Sequence, residues 1–227
     1  MNKTVLSLCE KLDIGDLPPN PFIFVVGSRR SGKSVLTSEL IRDHFDADFR
    51  IAMCGHHSAA QNYVRQGLIP ADYAHGHYKP SMLQEFFAKC DKIMKSGKKL
   101  PSTLLVLDDV LRTRGGKKGY TTSKDWALEK LAVCGRHYRC TVILIVQSIS
   151  IALNFARNAD LVLISPSSLF CGTDYKALTE NFMSADQRKA NRELLSYYKK
   201  YDFLALRYYL ASREPGKLLA YYRSKGL

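Results

Sequence analysis

Residues 27–34 read Gly27-Ser28-Arg29-Arg30-Ser31-Gly32-Lys33-Ser34, a complete G-x-x-x-x-G-K-[ST] phosphate-binding loop. What lies on either side decides its meaning. Phe22–Val26 is a short apolar run suited to a buried strand, and Ser34–Phe45 carries Val35, Leu36, Leu40 and Ile41 at helical spacing. Strand, glycine-rich loop and helix are the setting the motif requires. Gly27 and Gly32 allow close backbone approach, and the amides from Ser28 to Val35 then face the phosphates of a nucleoside triphosphate. Lys33 adds a point charge, and the Ser34 hydroxyl is placed for Mg²⁺. Arg29 and Arg30 could touch phosphate in cis, but read better as pointing to solvent or to a neighbouring subunit.

The chain has 227 residues, enough for one α/β domain with a full core and short for two. It divides into an N-terminal extension (1–20), a nucleotide-binding core (21–168) and a C-terminal subregion (169–227). Apolar runs stop short of the ~18 residues that span a bilayer, so no membrane partner is expected. Six cysteines are scattered without CxxC pairs, which fits reduced thiols better than zinc. Against 21 acidic residues stand 34 basic ones, a formal net charge of +13. Such an excess suggests a polyanionic partner besides the nucleotide, most simply nucleic acid.

Beyond the first helix, Phe49–Met53 reads as a strand, residues 54–79 as irregular, and Ser81–Lys95 as a helix with Leu83, Phe86, Phe87, Ile93 and Met94 on its apolar side. Thr103–Leu107 is a strand, Lys124–Cys134 a helix built around Trp126, Leu128 and Leu131, and Thr141–Val146 and Leu161–Ile164 two further strands. Continuous apolar strands separated by helices predict a mainly parallel sheet covered on both faces. After Leu169 the pattern predicts a helix over Asp186–Tyr198, then a hairpin of Phe203–Leu210 and Leu218–Tyr222 around Pro215-Gly216.

Two strand ends carry chemistry. Leu104–Leu107 runs into Asp108-Asp109, and the carboxyl ends of parallel strands open onto the ligand crevice. Asp108 is placed to hold Mg²⁺; Asp109, one residue on, could orient and polarise an attacking water. Gln147 closes the strand Val142–Val146, where it could bond a γ-phosphate or the lytic water. His56, His57, His75 and His77 lack a fixed scaffold and read as hydrogen-bonding residues rather than metal ligands.

A P-loop, an Asp-Asp-ending strand and a Gln-ending strand together resemble the FtsK–HerA branch of P-loop motor ATPases. More narrowly, Arg29–Ser34, the segment Cys134-Gly135-Arg136-His137-Tyr138 and the segment Ala156-Arg157-Asn158-Ala159-Asp160 look like the genome-packaging ATPases of large double-stranded DNA viruses. The resemblance runs from about residue 20 to 165. It implies an α/β P-loop fold with strand order 5-1-4-3-2, ATP and Mg²⁺ as cofactors, and a ring of identical subunits, hexamer or pentamer. It further implies ATP-driven movement of double-stranded DNA into a preformed capsid, a capsid-vertex or portal partner, and a place at sites of virus assembly in host cytoplasm or nucleus, or on the virion. Many motors of this branch have Asp-Glu where this chain has Asp108-Asp109; the shorter side chain shifts the carboxylate by about 1.5 Å.

Ring motors also need a cation that reaches the next subunit's γ-phosphate. Arg136 is the first candidate for this trans finger and Arg157 the second, with Arg139 behind them. For DNA the candidates are Arg112, Arg114, Lys117, Lys118 and Lys124, in a glycine-bearing stretch without acidic residues. Tyr197-Tyr198-Lys199-Lys200-Tyr201 could stack on bases or touch phosphates, though tyrosines of a hairpin are as often half-buried. Two other classes stay open: a P-loop nucleotide or metabolite kinase, and a nucleotide-dependent assembly switch.

Overall fold

In a computed structural model, the structure describes residues 10–111, 125–169, 172–185, 188–189, 201–210 and 219–225. Among the described residues nine strands form one sheet: β1 (Glu10–Lys11), β2 (Phe22–Val26), β3 (Phe49–Cys54), β4 (Ala74–His75), β5 (Thr103–Asp108), β6 (Cys140–Val146), β7 (Leu161–Ile164), β8 (Asp202–Arg207) and β9 (Leu219–Arg223). Their spatial order is β1-β9-β8-β7-β2-β6-β5-β3-β4. Its middle, β7-β2-β6-β5-β3, is the expected 5-1-4-3-2 arrangement, all parallel. The C-terminal hairpin extends this sheet, β8 running antiparallel to both β7 and β9.

The helices are α1 (Lys33–Asp43), α2 (His57–Arg65), α3 (Pro80–Lys95), α4 (Trp126–Cys134), α5 (Leu153–Asn158), α6 (Pro166–Leu169) and α7 (Gly172–Phe182). All five side chains of β2 are buried because both faces of the sheet are covered. Phe22, Phe24 and Val26 pack with Leu83 and Phe87 of α3, Leu128 and Leu131 of α4, and Phe155 of α5. Ile23 and Val25 face the other way, onto Leu36, Leu40 and Ile41 of α1 and Ala60 and Tyr63 of α2. This alternation lets one strand serve two cores.

Three expectations are corrected. Residues 54–79 are not irregular: they hold α2 and the short strand β4. α2 buries only Ala60 and Tyr63, an apolar footprint too small for a periodicity to register. Trp126 is 54% exposed rather than packed. It stands about 200° round the helix from Leu128, and the buried face of α4 is Ala127, Leu128, Leu131 and Ala132. Met94 is likewise exposed, because Leu83, Phe87 and Cys90 form the buried stripe of α3. The helix α7 was not anticipated, and the expected helix over 186–198 and the basic stretch 112–124 lie outside the described residues or almost wholly so.

Candidate nucleotide and metal site

The register places the chemistry. Val26 pairs with Val146 and Asp108 with Ile145, so β2, β5 and β6 end at one edge of the sheet. The P-loop, Asp108-Asp109 and Gln147 follow those ends directly. Gly27 donates its N–H to the Val146 carbonyl at 3.2 Å, pinning the loop over the central strands.

The loop fits a phosphate chain. Gly32 takes the left-handed conformation (φ 93°) as the N-cap of α1, with no side chain capping the helix. The first amides of α1 are left for an external acceptor, and the helix terminus adds partial positive charge. A Cβ at Gly32 would stand 2.9 Å from the Tyr201 ring, and one at Gly27 2.9 Å from Lys33 Cγ, so both glycines are required by close approach. The buried Ser31 Oγ has no partner among the described residues. Lys33 Nζ turns back on the loop, donating to the Gly27 and Ser28 carbonyls, the latter at 2.9 Å. Burial pulls the lysine's pKa below its ordinary value, while Asp109 and Asp108 pull it back up. Ser34 is exposed at the helix start, and so are Arg29 and Arg30 in the loop.

The acidic pair is built from neighbours in space. Burial first, and the Asp109 charge second, push the Asp108 carboxyl up to about 6. Such a carboxylate gains from a cation beside it, which fits the Mg²⁺ role for Asp108 and Ser34. Asp109 sits at φ 53°, a strained backbone for a side chain with Cβ, stored at the point where β5 turns away. Gln147 donates Nε2–H to Asp109 Oδ2 at 2.8 Å, so the two polar strand ends are joined.

Sequence reasoning missed four residues. Tyr63 of α2, almost fully buried, donates its hydroxyl to Asp108 Oδ2 at 3.0 Å. On the opposite flank Ser168 Oγ accepts the Ser28 N–H at 2.9 Å, and Ser167 Oγ meets Ser28 Oγ at 3.0 Å. Deeper, Glu39 of α1 is buried and accepts from Tyr222 (2.7 Å), from the Ser224 hydroxyl and from the Lys225 N–H (2.9 Å). Serines and a helical Glu carry no motif; only the fold brings them together.

The trans-finger candidates lie at the other end of the strands. Exposed Arg136 pairs with Asp160 at 3.2 Å, and Asp160 also accepts the Phe22 N–H at the start of β2. Arg157, exposed at the end of α5, donates to Asn181 Oδ1 at 2.7 Å. Arg139 donates to the Leu100 carbonyl at 2.8 Å. All three are remote from their own P-loop, by about 20 Å along β6. The DNA candidates Arg112, Arg114, Lys117, Lys118 and Lys124 lie outside the described residues.

No protein-family model matches the chain, and no curated protein matches it in sequence. Solved structures do. The genome packaging NTPase B204 from Sulfolobus turreted icosahedral virus 2, in complex with ATP-gammaS, is 18% identical, with 85% of this chain and 94% of that one covered and a TM-score of 0.51. The same NTPase with sulfate gives 17%, 84%, 92% and 0.48. The pCW3 conjugation coupling protein TcpA with ATPgS gives 19%, 82%, 57% and 0.49. The likeness to B204 with ATP-gammaS assigns the fold of this chain: an α/β P-loop NTPase.

Proposed function

We propose that this P-loop NTPase is an ATP-hydrolysing motor subunit of the FtsK–HerA type that drives double-stranded DNA into a preformed viral capsid. The observation that carries the ATPase part is the meeting of Lys33, Asp108, Asp109 and Gln147 at one sheet edge. The packaging part is supported by the fold shared with B204, a genome packaging NTPase, and by a net charge of +13.

In this reading the loop amides from Ser28 to Val35 bind the β- and γ-phosphates, with Lys33 turned from the loop carbonyls onto the phosphate oxygens. Ser34 and Asp108 would hold Mg²⁺, which neutralises charge on the phosphates. Asp109 orients the attacking water and accepts its proton. Gln147, bonded to Asp109, keeps that carboxylate facing the γ-phosphate and changes partner when the phosphate leaves. Arg136 or Arg157, exposed at the far end of the strands, would enter the neighbouring subunit's site in a pentameric or hexameric ring. The basic stretch 112–124 starts three residues after Asp109 and would grip the DNA backbone. The ring would work against a capsid vertex or portal protein, at sites of virus assembly in host cytoplasm or nucleus or on the virion.

The test is steady-state ATP hydrolysis with and without long double-stranded DNA, together with the particle mass in ATP and Mg²⁺. DNA stimulation by a ring-sized assembly is the expected result. A monomer that hydrolyses ATP without regard to DNA contradicts the motor, and phosphate transfer to a small acceptor would make the chain a kinase.

A further inference from the structure

Asp108 has a partner that no phosphate-binding motif supplies. Tyr63 lies on α2, the helix between β3 and β4, and 45 residues before Asp108 in the chain. Its ring packs in the core layer formed by Ala52, Cys54, Ala60, Leu68 and Val106, and the residue is 2% exposed. A buried tyrosine hydroxyl needs a partner, and here that partner is Asp108 Oδ2 at 3.0 Å. The backbone holds the same junction: Gly55 N–H donates to the Asp108 carbonyl at 2.7 Å, and Cys54 pairs with Asp108 across the strands.

The consequence is directional. With Oδ2 engaged by Tyr63, the carboxylate cannot rotate freely about its terminal bond. None of the described residues donates to Oδ1. We infer that Tyr63 is a positioning residue for the metal site: by holding Asp108 Oδ2 it presents Oδ1 to the magnesium that accompanies ATP. The inference rests on reading this edge as a magnesium–ATP site. A ligating carboxylate is commonly oriented by such an outer hydrogen bond, and losing that bond weakens metal affinity by about 10–100-fold. It also makes α2, which carries no loop or strand-end motif, part of the metal site.

Tyr63→Phe keeps the ring in its core and removes only the donor. The readout is equilibrium binding of a fluorescent ATP analogue to the full chain, titrated with Mg²⁺ and repeated in EDTA. The expected result is a rise of about tenfold in the Mg²⁺ concentration for half-maximal enhancement of binding, with affinity in EDTA changed less than about twofold. A second cycle uses Asp108→Asn: if Tyr63 acts through the carboxylate, Tyr63→Phe adds nothing further in that background. Unchanged Mg²⁺ dependence in Tyr63→Phe overturns the inference and leaves the site reading intact. So does an equal loss of affinity in EDTA, or an additive effect in the double variant, since either marks a packing role alone. Failure of the wild-type chain to bind the analogue in any condition overturns the site reading itself.

Discussion

The two flanks of the P-loop are built on opposite principles. On the β5–β6 flank, groups are held against their preferences: Asp108 is pushed up to about 6, Asp109 sits at φ 53°, and Lys33 is partly desolvated. On the β7–β9 flank the groups that hold the loop and its helix are paired: Ser28 with Ser167 and Ser168, and Glu39 with three donors from the C-terminal strand and the residues after it. Burying a charge without compensation is costly, and a satisfied network is what lets a neighbouring site keep that cost. In the proposed reading the first flank takes a cation and phosphates, and the second fixes the loop that receives them.

The contrast breaks at Lys33 if it is wrong. Lys33→Ala removes the cation of the strained flank and should lower ATP hydrolysis by about 10³-fold, measured as phosphate release, with the melting temperature unchanged or raised. Glu39→Ala attacks the satisfied flank. It leaves the Tyr222 and Ser224 hydroxyls and the Lys225 N–H without their acceptor, and should cost about 3 kcal/mol in denaturant unfolding. Equal effects of both variants on hydrolysis and on stability would erase the distinction.

Gln147→Ala sharpens it. Freeing Asp109 should cut kcat by about 10²-fold while ATP binding holds, in parallel hydrolysis and binding assays. Asp108→Asn tests the strain directly. The unfolded carboxyl releases its proton near 3.8 and the folded one near 6, so stability falls as pH rises between those values. Removing the charge should therefore stabilise the chain by up to about 3 kcal/mol at pH 7 and by little at pH 4, read from denaturation midpoints. Smallest is Ser168→Ala, which releases the Ser28 N–H and should weaken nucleotide binding by about 1 kcal/mol in a binding titration, with kcat unchanged.

The strained flank was the legible one. The glycines and Lys33 of the loop, the two aspartates and Gln147 all stand at ends of continuous apolar strands, and parallel strands buried on both faces need no alternation to be seen. The order β7-β2-β6-β5-β3 is the one that the family resemblance implied; the apolar strands by themselves predict only a mainly parallel sheet. The satisfied flank was hidden because its bonds join residues far apart in the chain, such as Glu39 with Ser224 and Ser28 with Ser168. Tyr63 was hidden for another reason: α2 buries so few residues that its stretch, rich in His and Gly, reads as loop. Trp126 misled because a large apolar residue was assigned to the core by type, when its angle on α4 sends it outward.

The most direct measurement is phosphate release from ATP and Mg²⁺ by the wild-type chain and by Asp109→Asn, with ATP affinity determined on the same samples. The account predicts hydrolysis by the wild type, and in the variant a loss of about 10²-fold or more with affinity unchanged. A wild-type chain that binds ATP without cleaving it, or a variant that cleaves it as fast, would contradict the claim that this flank performs the chemistry.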